Sequence, residues 1–155
     1  MTVIKSGDAL IDTGGADGPL GPYRAELISD SAGLTQFGAF IEELPPGSHS
    51  SHTHWHATEH EMILILCGTA TLTEGEAKTE LNAGDAACWK AGEPVGHSLE
   101  NLSDAPVRYV VIGTRAPHDV ITYPTHDRIL HYDRTTNTRS YTTLDGAPAT
   151  HPETA

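Results

Sequence analysis

Residues 51–61 read SHTHWHATEHE, and residues 62–68 continue as MILILCG. The first run places four histidines and two glutamates in eleven positions, with His52, His54 and His56 on every second residue. The second is an uninterrupted apolar run that stops at a glycine. In a strand, residues two apart face the same side, so His54 and His56 aim two imidazoles at one point while Trp55 points away. Polar residues on a solvated strand would explain an H-x-H pair more cheaply. Glu61 strengthens the case, because it opens the apolar strand. A carboxylate there lies either at the rim of a barrel or inside it, and inside it would be costly without a metal, a cation or a proton.

The flanking sequence supplies the rest of the sheet. Thr35–Leu44 (TQFGAFIEEL) alternates and then meets Pro-Pro-Gly, a strand with a hard stop. TATLTEGE, from Thr69, is expected to be the hairpin partner of Glu61–Gly68. NAGDAACW, GHSLENL and Ala105–Thr114 (APVRYVVIGT) follow as further turns and strands. Short strands separated by Gly, Pro, Asn and Asp at roughly ten-residue spacing indicate an all-β sandwich or barrel. At the N-terminus a short strand precedes a Gly/Pro loop, Asp12–Pro22. Beyond Asp119 the pattern loosens. VITYP reads as a last strand, HDRILHYDR as a short helix or an edge strand, and residues 137–155 as a loose tail, disordered or docking on a partner subunit.

The chain of 155 residues suits a single domain, 1–155, with a barrel core at about 25–125. Only 37% of residues are apolar, which favours a compact closed sheet over a helical bundle. A formal charge of −12 argues against nucleic acid and against anionic membrane surfaces, since both need concentrated Lys and Arg. An anionic substrate would need a local positive group. Cys67 and Cys88 have no C-x-x-C spacing and read as a buried, reduced pair. The N-terminal MTVIKSGDAL lacks a basic region followed by an apolar one, and a cytoplasmic location is expected.

The candidate fourth metal ligand is distant. AGEPVGHSLEN places His97 at the start of a strand whose inward set would be His97, Leu99 and Asn101. With His54, His56 and Glu61 it completes three imidazoles and one carboxylate. Such a set suits a divalent transition metal (Fe, Mn, Ni, Zn or Co) with positions open to substrate.

These residues resemble a known family. Gly47…His54-Trp-His56-x4-Glu61-x6-Gly68 is similar to the first cupin motif, and Gly84-Asp85…Gly92…His97-x3-Asn101 to the second. The resemblance spans about residues 34–113. It implies a jelly-roll β-barrel (the double-stranded β-helix), commonly a homodimer, with a metal held by His54, His56, Glu61 and His97. Three departures stand: the Gly47 spacer is one residue longer, Lys90 replaces a proline, and four residues rather than two separate Gly92 from His97.

A rival register, His52-x-His54-x4-Glu59, has the same internal spacing. Six residues separate Glu61 from Gly68, whereas the same spacing from Glu59 ends at Leu66, which favours the set containing Glu61. His52, Glu59 and Tyr109 are then the candidate acid–base residues. Glu59 and His60 are expected in an exposed turn, with Asn101 anchoring backbone and Trp89 and Tyr109 lining the pocket. His49, His118, His126, His131 and His151 carry no ligand signal. No phosphate loop, dinucleotide fingerprint or Ser-His-Asp pattern occurs. The expected function is a metal-dependent oxygenase (a dioxygenase), isomerase or lyase acting on a small polar organic molecule. The alternatives are a non-catalytic small-molecule-binding cupin and a sugar isomerase or epimerase.

Overall fold

A computed structural model describes residues 1–15 and 17–152. Ala16, in the expected Gly/Pro loop, and residues 153–155 of the expected tail lie outside the described residues. In chain order the elements are β1 (Leu10–Gly14), β2 (Tyr23–Leu27), the one-turn helix α1 (Ile28–Ser31), β3 (Phe37–Leu44) and β4 (Trp55–His56). Then come β5 (Glu61–Cys67), β6 (Thr69–Glu74), β7 (Ala77–Asn82), β8 (Ala86–Trp89) and β9 (His97–Glu100). The last five are β10 (Val107–Thr114), β11 (His118–Tyr123), β12 (Arg128–Asp133), β13 (Thr138–Thr142) and β14 (Pro148–Ala149).

The strands form three antiparallel sheets: β1-β2-β3-β10-β5-β8, β14-β13-β12-β11-β4 and β7-β6-β9. Their arrangement is that of a jelly roll, although the sheets do not close into one continuous hydrogen-bonded barrel. Strand alternation decides the interior. Leu44, Ile63, Ile65, Trp89, Val107 and Tyr109 from the six-stranded sheet meet Ala70, Leu72, Leu81 and Leu99 from the three-stranded one. Each large apolar side chain buried there contributes about 1.5–3 kcal/mol. The outward positions of the same strands stay wet: Leu64 and Ile112 are each 36% exposed.

Three expectations need correction. First, β6 is not the hairpin partner of β5. At Gly68 (φ +81°) the chain leaves one sheet for another, and a Cβ there would lie 2.6 Å from the Pro106 carbonyl oxygen. No other residue fits that corner. Secondly, the segment beyond Asn137 is not loose through its described part: β13 pairs with β12 along Thr138–Thr142, and β14 pairs with β13. The HDRILHYDR segment forms β12, interior to its sheet rather than at its edge. Its polar alternation hid this, because one face only is covered. Thirdly, both cysteines are free but exposed. Cys88 takes the outward position between Ala87 and Trp89. The register shift between Arg108 and Tyr109 leaves Leu66 as an extra residue on β5, which turns Cys67 outward. Among the described residues no helix is long and apolar enough to cross a membrane.

Candidate metal centre

The histidine run folds across two sheets. Trp55 and His56 pair with β11, His56 facing Ile121 and Trp55 facing Thr122. His54 forms an isolated bridge with His97, donating its N–H to the His97 carbonyl (3.1 Å) and accepting from the His97 N–H (2.9 Å). That bridge joins the two parts of the motif. The longer loop before His97 is held by the Gly92 N–H, which donates to the His56 carbonyl at 2.9 Å.

His54, His56 and Glu61 each place one ligand atom within 4.8 Å of the others. His97 joins through Glu61, its Nε2 lying 3.8 Å from Oε2, while His56 Nε2 lies 3.6 Å from the same oxygen. The far nitrogens are tied to the protein. His54 Nδ1 lies 2.9 Å from the His52 carbonyl oxygen, and His56 Nδ1 2.6 Å from Asp119 Oδ2. Both contacts put the proton on Nδ1 and present Nε2 to the interior. His97 is 4% exposed, stacks on Trp89 at 3.8 Å, and finds no hydrogen-bond partner among the described residues for either ring nitrogen. Buried polar atoms are rarely left so. Nitrogens converging on one carboxylate oxygen, one imidazole otherwise unsatisfied, are a donor set that a divalent transition metal fits.

Burial and charge act differently on these groups. Burial pushes the His54 imidazole down to about 4, so the ring is neutral and free to donate a lone pair. His56 is also penalised by burial, but the Asp119 hydrogen bond and nearby carboxylates outweigh this and raise it. Burial opposes ionisation of Glu61, yet the imidazoles of His97, His54 and His56 hold its carboxyl below the usual range. Asp119 is 3% exposed and ionised, held down to about 2 against its own burial by the His56 ring and Thr58.

The expected acid–base residues separate. Tyr109 lies inside the cavity, 1% exposed. Glu59, expected in an exposed turn, is 9% exposed and accepts from the Ala116 N–H and from Arg134 Nη2, both at 2.8 Å. It also lies within 4.8 Å of ligand atoms of His56 and Asp119, so it supports the far side of His56. His52 is outside the cavity lining, with its ring 4.0 Å from that of His126 and its carbonyl serving His54. The rival register therefore splits, His52 facing away while His54, His56 and Glu61 converge. His60 is exposed, as expected, its Nδ1 accepting from the Ala91 N–H. Asn101 is fully buried and anchors backbone, donating to the Leu44 and Ala105 carbonyls.

Four residues were missed. Asp119, Glu42, Arg115 and Arg134 surround the same space of about 300 Å³ or its His56 wall. Glu42 had a signal: Phe40, Glu42 and Leu44 share the inward face of β3, so a carboxyl sits in an apolar row. It is 8% exposed, and burial lifts it to about 7. The Tyr109 hydroxyl beside it has no partner at hydrogen-bonding distance among the described residues, and burial with the nearby Glu42 raises its pKa well above the ordinary value.

Residues 40–113 match the family model for the cupin domain. A sugar phosphate isomerase from Silicibacter pomeroyi, of the cupin superfamily, superimposes with a TM-score of 0.78 at 31% identity, over 86% of this chain and 83% of that one. The chain belongs to the cupin family. A structure from Acidithiobacillus ferrooxidans, described as a candidate sugar phosphate isomerase, shares this cupin's fold at 23% identity and a TM-score of 0.78, over 86% and 84% of the two chains. A predicted oxalate decarboxylase from Thermotoga maritima does so at 20% and 0.63, over 74% of this chain and all of that one. No curated protein matches the sequence.

Proposed function

We propose that this cupin is a metal-dependent isomerase of small hydroxy-carbonyl compounds, with sugar phosphates as the substrate class, and that His54, His56, Glu61 and His97 hold the metal. Glu42 is the observation that carries the reading. A buried carboxyl that exchanges its proton near pH 7 shares a cavity with the imidazole and carboxylate donors. Isomerisation needs such a base, because a proton leaves one carbon and returns to its neighbour. Oxygen chemistry would not require it. The Silicibacter pomeroyi relative at 31% identity is a sugar phosphate isomerase.

A divalent metal bound to the four donors would supply Lewis-acid polarisation of the substrate carbonyl. The chain does the rest. The ionised Glu42 carboxylate takes the proton from the hydroxyl-bearing carbon beside the carbonyl and returns it to the former carbonyl carbon, while the proton of that hydroxyl passes to the former carbonyl oxygen, leaving oxidation state and composition unchanged overall. Tyr109, whose pKa stays high, keeps its phenolic proton and donates a hydrogen bond to a substrate oxygen. Trp89, Ile63 and Leu99 exclude water from the reacting carbons.

The test is reconstitution of chelator-treated protein with Fe, Mn, Zn or Ni, followed by NMR of deuterium uptake from solvent at the carbon beside the carbonyl. Pentose and hexose phosphates and the free sugars form the panel. Stoichiometric metal with deuterium uptake that vanishes on chelation is expected. A protein that binds no stoichiometric metal, or exchanges no substrate proton with any of the panel, would sink the reading.

A further inference from the structure

We propose that Arg115 and Arg134 form an anion subsite at the mouth of the cavity and receive the phosphate of a phosphorylated substrate. The inference deepens the isomerase reading and rests on it for the position of the reacting carbons. Among the described residues lining the cavity these two are the cations. The whole chain has nine Lys and Arg against 21 Asp and Glu, so few positions can offer an anion a cation.

Both guanidinium groups are held in place with donors to spare. Arg115 donates through Nη2 to Asp30 at 2.8 Å and through Nη1 to the Leu34 carbonyl at 3.2 Å. Arg134 donates through Nη2 to Glu59 at 2.8 Å and through Nε to the Ala116 carbonyl at 3.2 Å, and lies over the Tyr132 ring. A guanidinium carries five N–H donors, so each retains N–H groups that these bonds do not use. Anchoring of this kind lowers the entropy cost of gripping a ligand. Two planar forks suit the dianionic, three-oxygen phosphate monoester better than they suit a single carboxylate.

The strands beside them are cut back to make room. Gly38 of β3 and Gly113 of β10 face each other in register, both on the cavity side. A Cβ on Gly38 would come within 3.3 Å of Arg115 Nε. The φ of Gly38 is not in the left-handed region, so its backbone does not demand glycine; the space for Arg115 does. Glu61 lies opposite Gly113 on β5, whereas Glu42 sits four residues below Gly38, roughly 13 Å along the strand. Glu42 therefore lies toward the floor, whereas Glu61 and the Arg115 guanidinium share the level of the facing glycines near the mouth. A sugar whose carbonyl lies between Glu42 and the metal donors can turn its distal phosphate sideways onto the arginines.

Calorimetric titration of the metal-loaded protein with ribose 5-phosphate, ribose and ribonate tests this. Inorganic phosphate is titrated separately into chelator-treated protein, where no metal can take it. Ribose 5-phosphate is expected to bind at least tenfold tighter than ribose or ribonate. Arg115→Gln should cut that preference about tenfold with ribose affinity and metal content unchanged, and should weaken inorganic phosphate likewise. Gly38→Ala should give a smaller loss of the same kind with an unaltered melting temperature, and it leaves the Glu59 contact of Arg134 intact. Equal affinity for ribose and ribose 5-phosphate overturns the proposal, as does a variant that loses both equally. Ribonate binding as tightly as ribose 5-phosphate overturns the assignment to phosphate. Arginine-dependent phosphate binding without deuterium uptake would reject the isomerase reading and leave the subsite standing; uptake with no phosphate preference would do the reverse.

Discussion

The cavity wall built from β4, the first residue of β5 and the first of β9 differs from the wall built from β3 and β10 in how it manages buried polarity. On the first wall, imidazoles are fixed through their far nitrogens, His54 by a backbone carbonyl and His56 by Asp119, while His97 keeps two unsatisfied nitrogens. On the second wall, Glu42 and Tyr109 stand among Phe40, Leu44 and Val111. Burial there favours the neutral acid. In the proposed reading one wall binds and the other exchanges a proton, and a set of variants can separate the two.

The largest loss of metal is expected on the binding wall. His97→Ala should reduce metal content from stoichiometric to about a tenth or less by elemental analysis, whereas His60→Ala, whose exposed ring serves only the Ala91 N–H, should leave it intact. Similar losses from both would dissolve the distinction. On the other wall, Glu42→Gln should retain full metal and lower turnover by roughly 10²–10⁴, the usual share of a general base. Metal loss in that variant would show that the two walls act as one. Asp119→Asn is intermediate. It removes the charge that holds the His56 Nδ1 proton and should weaken the metal by about 10–100-fold in a chelator competition, with the fold preserved.

The binding wall was legible in part, because strand parity puts His54 and His56 on one face, while the choice of Glu61 over Glu59 came from the count to Gly68 in the cupin-like motif. Asp119 was not, since it reaches His56 across 63 positions, from a strand whose pairing no local pattern announces. Glu42 was half legible. Alternation in FGAFIEEL puts it inward, but the consecutive glutamates read as a polar strand end. Arg115 and Arg134 follow β10 and β12 directly, and only the pairing of β12 with β11 brings them to one mouth. The β5–β6 hairpin was misjudged because a Gly-rich corner looks the same in sequence whether the next strand folds back or changes sheet. The tail was misjudged because one covered face gives too few apolar residues to stand out.

The smallest predicted effect concerns the stability of chelator-treated protein against pH, where the two walls pull in opposite directions. Glu42 rises from 4.5 to about 7 on folding. Between those values the unfolded chain has released a proton that the folded one retains, so stability falls as pH rises and then levels off above 7. His54 drops from 6.5 to about 4. Between those values the unfolded chain holds a proton the folded one lacks, so its contribution rises with pH and is lost as pH falls through that window. The two slopes nearly cancel, and the parent should be flat by urea melts from about pH 5 to 6.5. Glu42→Gln removes one of them. Relative to the parent it should gain stability progressively from pH 4.5 to 7, by at most about 3 kcal/mol from the shift. Relaxation and water entry would leave on the order of 1 kcal/mol of this. His54→Ala should show the opposite trend, gaining relative to the parent as pH falls. If the Glu42→Gln difference does not change with pH, the second wall is wetter than its burial implies, and its carboxyl is not poised to exchange protons near neutrality.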